Sequence, residues 1–194
     1  MPPPATDRPE VDLPEKDRYT YEDYRQLPEG APYELIRGHL VMSPSPTVQH
    51  QRLVRRVSRA LNDHAQRSDA GGEVLFAPMD VHLSEDTVVQ PDVLYVSAAR
   101  ADRIGEQEIT GAPDLVVEVV SPSTSHRDVF DKKRLYEANE VREYWIVDPD
   151  SETVEVHTLT DEGLSLHERH VETGPAASAL LDGFTVDLDA LFSG

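Results

Sequence analysis

The segment from Leu115 to Val120 constrains the fold of this chain more than any other. It has the sequence Leu-Val-Val-Glu-Val-Val, so apolar side chains fall on both faces of an extended strand. A run that is apolar on both faces is typical of a central strand that is covered on both sides. Together with the helices expected before and after it, this strand predicts a mixed α/β fold.

Apolar spacing and turn residues divide the remaining chain into further elements. Thr20 is expected to cap a short helix that ends at Leu27, and Thr47 to open a longer helix. Gly38 separates two short strands that form a predicted hairpin. The predicted strands are 33–37, 39–42, about 73–83, about 88–96, 114–120, 143–147, 153–158 and 164–169. A third helix is predicted over 127–139, and a closing strand and short helix within 180–192.

Composition predicts the domain organisation and the cellular compartment of the protein. Residues 1–18 contain five prolines and few large apolar side chains, which is typical of a disordered N-terminal tail, so residues 19–194 are predicted to form a single domain. The chain has no cysteine, which excludes disulfides, thiolate metal sites and cysteine nucleophiles and fits a reducing cytoplasm. The longest apolar runs are too short to cross a bilayer, so we expect no membrane partner.

The net charge of −19 argues against extensive contact with nucleic acid. Affinity for phosphates depends on clustered lysine and arginine, so the positions of the few basic residues matter more than their number. Four arginines do cluster on the second predicted helix, at positions 52, 55, 56 and 59. This stripe could follow a phosphate backbone, or it could be a solvated helix face that pairs with the surplus acids.

Three acids stand within apolar, strand-like segments, namely Glu34, Asp92 and Glu118. A buried carboxylate costs several kcal/mol unless a cation or a set of donors meets it. One interpretation is a buried ion pair, with Arg37 or Arg142 as the partner of Glu118. The other is a shared metal site, since converging carboxylates without cysteine favour a hard cation such as Mg²⁺ or Mn²⁺.

Four motifs in order make the chain recognisable. The sequence resembles the Uma2-type family of restriction-endonuclease-like proteins, within the PD-(D/E)XK nuclease superfamily, at YELI (33–36), VQPDV (89–93), PDLVVEVVSPST (113–124) and EYWIVDP (143–149). The resemblance runs from about Tyr19 to the C-terminus. It implies a restriction-endonuclease-like core, which is a central mixed β-sheet flanked by helices. It also implies an activity that depends on Mg²⁺ or Mn²⁺, and DNA as the partner.

The resemblance also implies roles for particular residues. Asp92 and Glu118 correspond to the two metal-binding acids of the superfamily, and Glu34 to an early glutamate that many members add to the metal site. The superfamily lysine is expected two residues after Glu118, where this chain has Val120. Lys132, in the following helix, matches the family's lysine, so the predicted catalytic residues are Glu34, Asp92, Glu118 and Lys132.

Three further residues are predicted to bind substrate. Gln90 precedes the motif proline and could bond the scissile phosphate or the attacking water. His50 lies among matched family positions near the start of the long helix, although a lone histidine is more often structural. Arg52 belongs to the arginine stripe and could contact a phosphate.

These observations predict a Mg²⁺-dependent endonuclease that hydrolyses DNA phosphodiester bonds. The alternatives are a catalytically inactive nuclease-fold binding protein and a metal-dependent hydrolase of small phosphate esters. The net charge of −19 and the valine at position 120, where the superfamily has a lysine, favour the inactive alternative. The presence of all three acids favours catalysis. We further expect a cytoplasmic location and a homodimer.

Overall fold

A computed structural model describes residues 13–67, 71–121 and 126–193. Within these ranges the helices are α1 (Tyr21–Tyr24), α2 (Val48–Arg67), α3 (His126–Ala138) and α4 (Leu188–Phe192), with a 3₁₀ helix at Ala98–Arg103. None of the helices in these ranges is long and apolar enough to span a membrane. Residues 1–12 of the predicted tail and residues 122–124 of the third motif lie outside the described residues.

The strands form two large sheets and one small sheet. Numbered along the chain, they are β1 (Tyr33–Ile36), β2 (His39–Met42), β3 (Glu73–Phe76), β4 (Asp80–Ser84), β5 (Thr87–Val89), β6 (Val93–Val96), β7 (Glu108–Thr110), β8 (Leu115–Val119), β9 (Glu143–Asp148), β10 (Thr153–Thr160), β11 (Gly163–Val171), β12 (Pro175–Ala177) and β13 (Thr185–Asp187). The six-stranded sheet has the order β11-β10-β9-β8-β6-β3, and the five-stranded sheet the order β2-β1-β5-β4-β7. Strand β8 is parallel to β9 and antiparallel to β6, so the predicted mixed sheet is confirmed.

Two predicted strands were wrong in extent. The segments 73–83 and 88–96 were each expected to be one strand, but each divides between the two large sheets. The breaks fall at Pro78 and Pro91, and proline removes a donor from the hydrogen-bond ladder of a sheet. The chain therefore crosses between the two large sheets within each of these segments, which brings Asp92 and Glu34 to the same region. The short strand β7 had no counterpart among the predicted elements.

Alternation along β8 decides which way Glu118 faces. Leu115, Val117 and Val119 are buried in one core cluster with the apolar face of α2. Val116, on the opposite face, is buried in a second cluster with Tyr136 of α3. Because successive side chains of a strand point to opposite faces, Glu118 shares the α3 side with Val116.

A buried glutamate at the start of β9 attaches the C-terminal part of the chain to the six-stranded sheet. Glu143 is fully buried, and its carboxylate accepts hydrogen bonds from the Trp145 indole (2.7 Å) and the Ser178 hydroxyl (2.6 Å). It also accepts from the backbone N–H groups of Ala179 and Leu180, both at 2.8 Å. The four donors explain how a carboxylate is accommodated without exposure to water.

We predict that Glu143→Ala lowers the free energy of unfolding by roughly 3 to 5 kcal/mol, because the buried donors lose their acceptor. Urea denaturation followed by tryptophan fluorescence measures the change. Glu73→Ala is the matched control, since Glu73 also begins a strand of this sheet but is exposed. Equal stabilities of the two variants would contradict the anchoring role.

Candidate active site

A cavity of about 600 Å³ opens where the two large sheets meet the N-terminus of α2 and the side of α3. Its lining includes Glu34, Gln90, Asp92, Glu118 and Lys132. The fold thus brings together all the predicted catalytic residues and two of the three predicted substrate-binding residues, Gln90 and His50. His50, at the start of α2, lines the same cavity.

Glu118 is held by two donors from α3. Its Oε1 accepts from Lys132 Nζ (2.9 Å) and from the Tyr136 hydroxyl (2.5 Å). Burial raises the pKa of Glu118 to about 7, and the negative charges of Asp92 and Glu34 add to this rise. The Lys132 charge and the Tyr136 hydrogen bond oppose the rise in pKa without cancelling it.

Lys132 joins the two sheets. Its Nζ donates to Glu118 of β8 and, at 3.1 Å, to Oε1 of Glu34 of β1. Burial alone would lower the pKa of Lys132, but the charges of Glu118 and Glu34 outweigh burial and raise it above its ordinary value. The next lysine, Lys133, lies instead near His157, where its charge adds to burial in lowering the pKa of that histidine.

The ion-pair partner expected for Glu118 was wrong. Arg142 donates to Asp114 at 3.1 Å instead, and Lys132 takes the place that Arg37 or Arg142 was expected to fill. Arg142 and Glu118 are therefore in separate ion pairs. The buried ion pair and the candidate metal site are not exclusive, because the same carboxylates take part in both.

Asp92 immediately precedes β6 and is fixed by neighbouring polar groups. Its Oδ2 accepts from the backbone N–H of Val119 (2.7 Å) and lies 3.2 Å from Nε2 of His50. Burial lowers the pKa of His50, but its hydrogen bond to Asp92 and the negative charge of Asp92 outweigh burial, so the net shift is upward. His50 is therefore placed to orient Asp92, and its predicted contact with substrate stays a prediction.

The other two predicted substrate-binding residues differ in position. Gln90 lies in the cavity lining, where its backbone N–H donates to Glu34 (2.8 Å) and its side-chain amide donates to Asp80 (2.8 Å). Arg52 is exposed on α2 and is not part of the cavity lining within the described residues.

Three polar residues around the site were not singled out from the sequence. Tyr136 donates to Glu118, Asp80 accepts from Gln90, and Tyr144 lines the cavity with its hydroxyl buried and without a hydrogen-bond partner in the described parts of the chain. The spacing of Tyr136 four residues after Lys132, on one helical face, was a usable signal for a shared contact. No local pattern indicates the contacts of Asp80 and Tyr144.

The donor set fits a divalent cation bound through few protein ligands. Asp92, Glu118 and Glu34 each use one carboxylate oxygen for the contacts above, and the other oxygen has no hydrogen-bond partner among the described residues. No group of three His, Asp or Glu side chains in those residues is close enough to hold a metal ion together. Mg²⁺ usually binds one or two carboxylates and keeps several waters, so Asp92 and Glu118 suit it as a pair.

The fold and the cavity define a mixed α/β protein with a recessed acidic site between its two large sheets. The chain belongs to the Uma2 family, whose model, described as "Putative restriction endonuclease", matches residues 21–189. Its fold is similar to the crystal structure of "a putative nuclease belonging to DUF820" from Anabaena variabilis ATCC 29413. The two have a TM-score of 0.74 and 21% sequence identity, over 89% of this chain and 97% of the other. Comparison with curated proteins finds no match.

We predict that Glu118 lowers the free energy of unfolding increasingly as pH rises, in protein treated with chelator. Consider a carboxyl group whose pKa is higher in the folded protein than in the unfolded protein. Its contribution to the free energy of unfolding is fully present below the unfolded-state pKa and is lost as pH rises through the folded-state pKa. With a folded pKa of about 7, wild type should lose roughly 3 kcal/mol relative to Glu118→Gln between about pH 4.5 and pH 8.

Chemical denaturation of both proteins across this pH range gives the difference directly. Glu106→Gln is the control, because Glu106 is exposed and its substitution should leave the pH dependence of stability unchanged. A difference between wild type and Glu118→Gln that is constant with pH would show that burial does not raise the pKa of Glu118.

Proposed function

We propose that this protein is an endonuclease that requires Mg²⁺ or Mn²⁺ and hydrolyses phosphodiester bonds of DNA. The observation that carries the proposal is the position of Lys132, within hydrogen-bond distance of Glu118 and Glu34 in the cavity that Asp92 also lines. Family membership and the nuclease-type fold support the same activity. The PD-(D/E)XK pattern supplies the roles, with Lys132 in place of the lysine that Val120 replaces.

The charge of the cavity supports a need for a cation. Its described lining contains four carboxylates, those of Glu34, Asp92, Glu118 and Asp131, against the single amine of Lys132. A phosphodiester that enters this lining meets net negative charge, which opposes binding unless a cation is present. A bound Mg²⁺ ion would neutralise charge on the phosphate and lower the pKa of a water molecule.

The chain's own residues hold and orient the reacting groups. Asp92 and Glu118 would bind the first ion, and Glu34 a second ion or a water of the first. Lys132 would stabilise the negative charge that develops on the phosphate, because its ammonium group contacts Glu118 and Glu34 beside the bound ion. Tyr136 restrains the Glu118 carboxylate, and His50 restrains that of Asp92.

The two alternatives remain distinguishable from this proposal. The position of Lys132 supports catalysis over an inactive binding protein, because it supplies the cation that Val120 cannot. The partly enclosed cavity is also compatible with small phosphate esters, which the same assays test with p-nitrophenyl phosphate and bis-p-nitrophenyl phosphate. DNA as partner belongs to this proposal, and the homodimer and the cytoplasmic location remain predictions.

We predict that Asp92→Asn and Glu118→Gln each abolish DNA cleavage in Mg²⁺ or Mn²⁺, because each removes a negatively charged ligand of the ion. Cleavage of plasmid and oligonucleotide DNA is measured by gel electrophoresis, with chelator as the zero-activity reference. Circular dichroism should show unchanged folding. Full activity in either variant would place the catalytic metal elsewhere.

We predict that Lys132→Ala lowers the cleavage rate by roughly two to four powers of ten, the usual scale for a positioned acid–base or charge-stabilising group. Lys133→Ala is the matched control and should cleave at nearly the wild-type rate, since Lys133 is on another face of α3 and near His157. Single-turnover rates at saturating metal provide the comparison. Equal losses in the two variants would argue against a specific role for Lys132.

A further inference from the structure

The reacting groups lie in the cavity lining and are recessed from the open surface. The side chains of Asp92, Glu118 and Lys132 are only 14%, 12% and 17% exposed. The hydroxyl of Tyr144, a lining residue, is buried and has no hydrogen-bond partner in the described parts of the chain. A phosphate must therefore enter the cavity to reach these groups.

Much of the remaining lining is apolar. Proline and aliphatic residues within and next to the β1–β2 hairpin contribute to it, including Pro32, Ile36, Val41, Met42, Pro44 and Pro46. Val41 and Met42 are 42% and 43% exposed, although both are large and apolar. Exposed apolar groups beside a cavity are typical of a binding surface for an apolar part of a ligand.

Paired DNA fits this cavity poorly. Duplex binding depends on many contacts between phosphates and basic side chains, and the described lining contains one lysine and no arginine. In a duplex, each phosphate is attached to a sugar whose base is stacked and paired inside the helix. The base of such a nucleotide cannot contact the apolar lining of the cavity unless the nucleotide leaves the stack.

We propose that the cavity binds an unpaired nucleotide of DNA, with the scissile phosphate at Asp92, Glu118 and Lys132 and the base against the apolar part of the lining, which includes Val41 and Met42. This inference rests on the proposed nuclease function of the same site. The volume of about 600 Å³ falls within the range of ligand pockets, roughly 300 to 1,000 Å³. Every base has an apolar face that can pack on such a lining whatever its identity, so binding needs no base-specific donors.

Two arginines near the cavity suit the phosphates of a single strand. The N-terminal part of α2 lines the cavity through His50 and Gln51, and Arg52 and Arg55 follow directly. Both arginines are exposed and have no ion-pair partner among the described residues, whereas Arg59 pairs with Asp63. A short track of this kind can hold the flexible backbone of a single strand, which needs fewer contacts than a duplex.

Binding and cleavage are measured separately to test the inference. Fluorescence anisotropy with Ca²⁺ in place of Mg²⁺ compares a labelled single-stranded oligonucleotide with the same strand in a duplex. We expect the single strand to bind at least about tenfold more tightly, and Met42→Ser to weaken single-strand binding about five- to tenfold by removing apolar contact. Val41→Ser should also weaken single-strand binding, and agreement between the two variants would show that the loss is not peculiar to one substitution. Leu166→Ser, an exposed apolar residue on β11 outside the cavity lining, should leave binding unchanged.

Cleavage in Mn²⁺ then distinguishes the inference from the function on which it rests. Substrates are the single strand, the duplex, and the duplex with a single-stranded flap, and we expect cuts only in unpaired segments. Cleavage of the duplex as fast as the single strand would overturn the inference while supporting a nuclease. Single-strand-selective binding without any cleavage would retain the inference and overturn the nuclease function. Failure to bind the single strand, or binding indifferent to Met42→Ser and Val41→Ser, would also overturn the inference.

Discussion

The contact of Lys132 with Glu118 and Glu34 is the interaction on which the candidate site depends. It joins α3 to the central strand of one sheet and to β1 of the other. Without the ammonium, two acids of low exposure would repel each other across the cavity, at a cost that buried uncompensated charges make large. The same contact places the amine among the acids, so the group that makes them compatible with the fold is also the group suited to phosphate chemistry.

The site exists because the chain leaves one sheet and enters the other at two prolines. Pro91 separates β5 from β6, so Gln90 remains beside β1 while Asp92 begins the approach to the six-stranded sheet. The backbone N–H of Gln90 then bonds Glu34, and Asp92 accepts from the backbone of Val119 in the neighbouring strand. Backbone N–H groups thus donate to both carboxylates. Because the backbone of a sheet moves less than a long side chain does, these donors fix the positions of the carboxylates.

The net charge of −19 has a different meaning once the site is in place. A surplus of acids disfavours a broad duplex-binding surface, but it is compatible with a recessed site in which a divalent cation neutralises the phosphate locally. The apolar lining and two arginines on α2, Arg52 and Arg55, which have no ion-pair partner among the described residues, would then contribute contacts that do not depend on an overall positive field. The acidic composition and a nuclease activity are therefore consistent for a substrate that is bound one nucleotide at a time.

The sequence by itself determined the α/β class, the buried central strand that begins at Leu115 and the three acids within strand-like segments. These depend on periodicity and local motifs, which are properties of neighbouring residues. Only the tertiary structure decided that 73–83 and 88–96 divide between two sheets, that Lys132 rather than an arginine meets Glu118, and that Asp80 takes the Gln90 amide. The physical reason is distance along the chain: Lys132 and Glu34 are 98 positions apart, and sheet packing alone makes them neighbours.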